Sequence, residues 1–257
     1  MENEIRVSID NDKCTGCAFC VTDCQRKDLQ IKNSKAVPMH KNCFYCGHCV
    51  AICPRNAVRL HGLDDEIIKI PERSVFLDEK SFMTHLRFRR SVRQYYNTPV
   101  EKEKLEKIIE AGRLTPSASN AQNVRYIVIQ NGINDLEDEV LAQYKNPVGF
   151  TVSAAFNPER FKRGFLFHNA PALILVISPS EVNAHLAAMC MELEAEALGL
   201  GTVYVGLFTR PANINAGLRA SLGVKEGEII AACIALGYPK VGYLRSAPRK
   251  KADVVWR

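Results

Sequence analysis

Hydrophobic positions change rhythm from one stretch of the chain to the next, and the rhythm predicts most of its secondary structure. Ala172–Ile177 is continuously apolar, as a strand buried on both faces would be. Val124–Gln130, Thr202–Val205 and Ile229–Leu236 predict three further buried strands, the last ending at Gly237. Between them the apolar spacing becomes helical. Asp78–Arg90 predicts a helix with Asp78 as its N-cap. A second follows Pro99, with Leu105, Ile108, Ile109 and Gly112 on helical spacing. Asp135–Tyr144 predicts a third. Glu181–Leu198, rich in Ala, Leu, Met and Glu, predicts a longer one that stops at Gly199. Pro211 is read as opening a short helix in the first-turn position, where its missing N–H is not needed. Strands alternating with helices predict a sheet covered on both faces.

Ahead of these elements the chain is organised by cysteines. Cys14-x2-Cys17-x2-Cys20-x3-Cys24 recurs as Cys43-x2-Cys46-x2-Cys49-x3-Cys53, every cysteine shifted by the same interval. The flanks follow the same shift: Val21 matches Val50, Arg26 matches Arg55, Leu29 matches Val58 and Ile31 matches Leu60. A pseudo-twofold unit of about sixty residues is expected. A cubane cluster needs thiolates from three directions around one short loop and a fourth from elsewhere, and two-residue gaps let a tight loop wrap it. A disulfide scaffold suits short secreted chains instead, and zinc prefers paired C-x2-C ligands. The segment resembles the bacterial two-cluster ferredoxin family over residues 5–61, where Pro54 matches the family's Cys-Pro ending and Gln25 departs from it. In such ferredoxins the fourth cysteine of each run ligates the other cluster. The resemblance therefore implies one 4Fe–4S cluster on Cys14, Cys17, Cys20 and Cys53, and another on Cys43, Cys46, Cys49 and Cys24. Cys190 and Cys233 read as ordinary buried thiols, and His40 and His48 as packing or solvated side chains.

Composition adds limits. With 257 residues, 47% hydrophobic and 24% charged, the chain suits one large or two small domains and is not disordered overall. Its longest apolar runs, Ala170–Ile177 and Ile229–Leu236, fall short of the roughly 20 residues that span a bilayer. The opening Met1–Arg6 has no apolar h-region, so a cytoplasmic protein without a membrane partner is expected. The net charge of +6 is uneven: His85–Arg93 and Arg245–Arg257 each carry +4, leaving the rest of the chain at −2. Phe88 is the one aromatic residue inside the first cluster, with Tyr95 and Tyr96 just beyond it, and pI is near 8.8 rather than well above 9, so no nucleic-acid partner is expected. Gly62 to Glu79, with Pro71 and Asp64-Asp65-Glu66, reads as a connector.

The basic clusters belong to a second set of motifs. Arg89-Arg90-Ser91-Val92-Arg93-Gln94-Tyr95 is followed by Pro116-Ser117-Ala118-Ser119-Asn120-Ala121-Gln122 and by Asn169-Ala170-Pro171-Ala172-Leu173-Ile174. Ala197-Leu198-Gly199-Leu200-Gly201-Thr202 and the C-terminal Pro248-Arg249-Lys250-Lys251 complete them. In order and spacing they resemble the nitroreductase family of FMN enzymes across roughly residues 80–257. Arginine suits a dianionic phosphate because its planar fork donates two bonds at once. The resemblance implies a phosphate clamp of Arg89, Arg90 and Ser91 with Arg249 and Lys251. It places Arg93 near the flavin pyrimidine, where positive charge stabilises the reduced anionic ring. Pro116, Ser117, Asn120 and Gln122 would meet the ribityl chain and ring edge, and amides around Val205 and Gly206 would face N5.

Together these readings predict an α+β fold: a nitroreductase-like mixed sheet flanked by helices, preceded by a small ferredoxin-like two-cluster domain. The expected boundaries are 1–61 for the ferredoxin domain, 62–79 for the connector and 80–257 for the FMN-binding domain. The expected activity is an iron–sulfur flavoprotein oxidoreductase passing electrons from two 4Fe–4S clusters to FMN. Its acceptor would be a nitroaromatic, a quinone or a similar conjugated compound. The alternatives are an electron-transfer module that docks a protein redox partner, or a specialised ene reductase or dehalogenase on the same fold. No side-chain nucleophile or base is required, since the flavin carries the chemistry. NAD(P)H or reduced ferredoxin is the expected donor, and the family resemblance implies a homodimer.

Overall fold

The computed structural model describes residues 6–63, 65–70, 77–145 and 161–257. Asp64 and Pro71 of the expected connector lie outside the described residues. The chain divides into two compact units, Met1–Val75 with Ala118–Ala121, and Phe76–Ser117 with Gln122–Arg257.

The first unit contains β1 (Val7–Ile9), α1 (Phe19–Asp23), β2 (Leu29–Lys32), β3 (Lys35–Pro38), α2 (His48–Ala51) and β4 (Val58–Leu60). Its strands pair across the repeats, β1 with β4 and β2 with β3, all antiparallel. Val7 and Ala36, and Leu29 and Val58, occupy equivalent positions of the repeat. All four are buried in one small core that the cysteines border.

The second unit runs α3 (Glu79–Phe88), α4 (Lys102–Arg113), β5 (Arg125–Ile129), α5 (Ile133–Lys145), β6 (Ala172–Ser178), α6 (Glu181–Ala197), β7 (Gly201–Tyr204), α7 (Gly206–Ile214), α8 (Ala216–Ser221) and β8 (Ile229–Gly237). The strands form one sheet ordered β5-β6-β8-β7, each described pair antiparallel. All seven residues of β6 are buried, the six of the apolar run and Ser178 at its end. Leu173, Leu175 and Ile177 pack with α5 and α7 on one face. Ala172, Ile174 and Val176 pack with α4 and α6 on the other. The sheet is therefore covered on both faces, with alternate side chains serving each. Asp78 caps α3 by accepting from the Ser81 amide at 2.7 Å. No helix among the described residues is long and apolar enough to cross a membrane.

One expectation is corrected. Pro211 does not open a helix; it is the sixth residue of α7, which begins at Gly206. A proline there leaves the Leu207 carbonyl without the amide four residues on. The Tyr144 hydroxyl, from α5, donates to that carbonyl instead. The interior proline is tolerated because a side chain supplies the missing donor.

Candidate functional site

The first unit builds two cavities from its repeat. One, of about 360 Å³, is walled by Cys14, Cys17, Cys20 and Cys53. The other, of about 410 Å³, is walled by Cys24, Cys43, Cys46 and Cys49. The fourth cysteine of each run thus crosses to the other run's cavity, as the ligand sets implied from the sequence require. The loops wrap in matched steps: φ is +70° at Gly16 and +60° at Tyr45, then +65° at Ala18 and +76° at Gly47. Glycine is obligatory at 16, since a Cβ there would sit 2.2 Å from the Ser34 carbonyl oxygen.

Backbone amides point at the sulfurs. Asp28 N donates to Cys24 Sγ at 3.3 Å and Ala57 N to Cys53 Sγ at 3.2 Å, while Ala36 N donates to Cys14 Sγ at 3.5 Å. Such bonds favour a thiolate and help set a cluster's potential. Without metal, burial pushes the Cys49 thiol up to about 12 and raises Cys20 and Cys43. Ligation must therefore displace protons. Among the described residues no three His, Cys, Asp or Glu side chains close on a single-ion point. The cysteines instead stand around cavities, as a cubane with one thiolate on each iron demands. This donor set fits 4Fe–4S clusters.

In the second unit the basic segment 89–95 is tied to the sheet. Val92 N donates to Thr202 O at 2.8 Å. The buried Tyr95 hydroxyl donates to the carbonyls of Val92 at 2.6 Å and Ala235 at 3.2 Å. Gly201 allows the approach, because a Cβ there would lie 2.5 Å from Val92 Cγ2. The segment frames a cavity of about 920 Å³ whose walls include His85, Arg89, Arg90, Glu196, Gly201 and Tyr243. Arg90 has no ion-pair partner among the described residues. Arg89 does: its Nε and Nη2 each lie 3.0 Å from Oε1 of the buried Glu192, and Glu196 Oε1 lies 3.9 Å from its Nε. His85 Nε2 lies 3.0 Å from Glu196 Oε2, without hydrogen-bond alignment. Burial, reinforced by the charge of Glu192, pushes the Glu196 carboxyl up to about 7. That acid therefore stands protonated well above the ordinary carboxylate range, beside Arg89 and Arg90.

The other expected residues are distributed more widely. Pro116, Ser117 and Gln122 line a second cavity, of about 430 Å³, with Arg113, Tyr126 and Asn183. Ser117 Oγ accepts from the Gln122 amide at 3.0 Å. Ser119, Asn120 and Gln122 all adopt positive φ, between +44° and +52°, a strain that non-glycine residues carry chiefly where function holds them. Within the first unit, Asn120 Nδ2 donates to the Tyr45 carbonyl at 2.7 Å. Ser91 O accepts from the Tyr243 hydroxyl at 3.1 Å. Arg93 is exposed, and its charge adds to burial in lowering the His168 imidazole. Val205 N is committed to the Cys233 carbonyl at 2.8 Å, which leaves Gly206, at the start of α7, as the amide of that pair open to a ligand. Arg249 and Lys251 are exposed and do not line the Arg89 cavity. Sequence reasoning did not anticipate Glu192, Glu196, His85 or Tyr243 around Arg89. The signal available was the run of acids Glu192, Glu194 and Glu196 near the end of a helix whose middle is apolar.

Residues 86–238 match the Nitroreductase family, and residues 6–54 match the 4Fe-4S dicluster domain. A protein of Archaeoglobus fulgidus, provisionally named an NADH dehydrogenase/NAD(P)H nitroreductase, is 30% identical over 162 residues, 59% of this chain and 82% of its own length. A ferredoxin of Methanothermococcus thermolithotrophicus is 40% identical over 55 residues, 20% of this chain and 92% of its own. Among solved structures, a nitroreductase with bound FMN from Desulfitobacterium hafniense superposes with a TM-score of 0.58 at 25% identity, covering 70% of this chain and all of that one.

Proposed function

The chain belongs to the nitroreductase family and carries a 4Fe-4S dicluster domain ahead of the family's residues, and from that premise we propose that it passes electrons from two 4Fe–4S clusters through FMN to a nitroaromatic, quinone or similar conjugated acceptor. The observation that carries this reading is the pair of cavities, each walled by one four-cysteine set, in the same chain as a nitroreductase fold. Bound FMN supplies exchange of single electrons with the clusters and of two with an acceptor. The chain's own residues then bind and orient. Arg90, unpaired by any carboxylate among the described residues, takes the phosphate with Arg89 and Ser91, and Arg249 and Lys251 join from the C-terminal segment. Arg93 supplies positive charge to the ring. Pro116, Ser117, Asn120 and Gln122 hold its polar side chain and edge, and the Gly206 amide meets the reactive face. Residues 1–61, 62–79 and 80–257 serve as cluster domain, connector and flavin domain. The working form is a cytoplasmic homodimer, with NAD(P)H or reduced ferredoxin as donor.

Anaerobically purified protein is expected to carry about eight irons and about one FMN per chain, and to turn over a nitroaromatic steadily when reduced by dithionite. Stoichiometric zinc without iron would overturn the cluster assignment. Fast exchange with a protein partner, and none with small acceptors, would replace the proposed acceptor class. Arg90→Ala combined with Arg249→Ala is expected to release FMN and leave iron unchanged. Flavin retained in that variant would put the phosphate elsewhere.

A further inference from the structure

The two halves of the first unit match closely in what surrounds their cysteines. Arg6 Nη1 donates to the Cys43 carbonyl at 2.6 Å, and Lys35 Nζ, at the equivalent position of the repeat, donates to the Cys14 carbonyl at 2.5 Å. Arg26 lines one cavity and Arg55, its equivalent, lines the other. The amides of residues 28 and 57 bond the sulfurs of Cys24 and Cys53 at nearly equal distance. At this last pair the match breaks. Residue 57 is alanine, 1% exposed, and residue 28 is aspartate, 3% exposed.

The Asp28 carboxylate is fixed. Its Oδ1 accepts from the amides of Lys41 at 2.8 Å and Asn42 at 3.1 Å. Its Oδ2 is buried without a hydrogen-bond partner among the described residues, and the residue lines the cavity of Cys24, Cys43, Cys46 and Cys49. A buried oxygen left without a donor keeps its field unscreened within the protein. The halves also differ in charge at residues 10, 12, 13, 23, 27, 30 and 32 against their equivalents, but every charged side chain at those positions is exposed or half-buried, where solvent and salt screen it; Asp28 is the fully buried one.

We infer that Asp28 makes the two clusters unequal, so that the one held by Cys24, Cys43, Cys46 and Cys49 is the poorer electron acceptor and passes its electron to the one held by Cys14, Cys17, Cys20 and Cys53. The inference rests on the cluster reading above. An added electron makes a cluster more negative, and a fixed neighbouring carboxylate disfavours that state. In the transfer one electron leaves the first cluster, which is oxidised, and enters the second, which is reduced; no bond or proton moves. Asp28 thereby gives the pseudo-symmetric unit a direction.

The test uses the full chain prepared anaerobically, with iron counted first. Potentiometric titration followed by EPR gives the cluster potentials. Paramagnetic shifts of the cysteine Cβ protons identify which cluster takes the first electron. In the wild type that electron is expected to favour the Cys14/Cys17/Cys20/Cys53 cluster at least tenfold, about 59 mV for a one-electron couple. Asp28→Asn keeps an acceptor for the two amides and removes the charge, and should cut the preference at least tenfold. Asp28→Ala, which copies the second half, gives the same reading if the Asn variant loads poorly, and Ala57→Asp should lower the other cluster. Equal clusters in the wild type would overturn the inference, as would an unchanged preference in both Asp28 variants. A wild type lacking iron would sink the cluster reading itself, which the iron count separates from these outcomes.

Discussion

Arg89 meets two carboxylates before any ligand arrives, and the consequence is a pH dependence of unusual sign. Glu196 has its carboxyl raised from 4.5 to about 7 by burial and then by the charge of Glu192, with Arg89 pulling the other way. The folded chain therefore holds this proton more tightly than the unfolded chain does. Between those two values the folded state binds more protons, so its contribution to stability is present at the acidic end and is lost as pH rises through about 7. Carboxylates with lowered values, such as Glu228 beside Arg125, act in the opposite sense and only at lower pH. The thermal midpoint of the wild type is expected to fall across the Glu196 window. Glu196→Gln should flatten that slope; a slope unchanged in the variant would place the titrating group elsewhere. The cysteines that wall the two cavities were legible in the sequence because each run of the repeat writes its loop geometry locally. The acid partners of Arg89 were not, because Glu192 is far from it along the chain and only the folded sheet brings α3 beside α6.

At the scale of elements, strands and most helices follow from apolar spacing, since burial on two faces makes Ala172–Ile177 of β6 continuously apolar and α4 buries Leu105, Ile108 and Gly112 at helical spacing. The start of α7 does not follow. Proline favours the first turn of a helix, and nothing near residue 211 signals that Tyr144, on another helix, supplies a donor to Leu207. That explanation makes a paired prediction. Tyr144→Phe leaves the Leu207 carbonyl unsatisfied and should cost about 1 kcal/mol. Pro211→Ala restores a backbone N–H able to serve the same carbonyl, so the hydroxyl deletion should cost less in that background. Urea unfolding of the four proteins of this cycle measures the coupling. Strictly additive effects would show that the hydroxyl and the proline are unrelated, and that α7 tolerates Pro211 for another reason.

At the scale of the whole molecule, the C-terminal segment is where the single chain looks incomplete. Val254 is 54% exposed, Val255 76% and Trp256 91%, three consecutive apolar side chains of a kind that a monomer seldom leaves together in water. The same segment carries Arg249 and Lys251, the proposed phosphate ligands that do not reach the Arg89 cavity. In the proposed homodimer the segment is expected to pack on the partner, burying its apolar side chains and bringing its cations to a flavin site. Trp256 is the chain's one tryptophan and reports on this directly. In the dimer its emission should be blue-shifted. On dilution the mass should halve as the emission moves red, and FMN should be released over the same concentration range, because the cations leave with the segment. Trp256→Ala should bring that range to higher concentration. Fully solvated emission from a protein whose mass is that of a dimer would remove the segment from the interface, and would leave Arg89 and Arg90 to hold the phosphate without it.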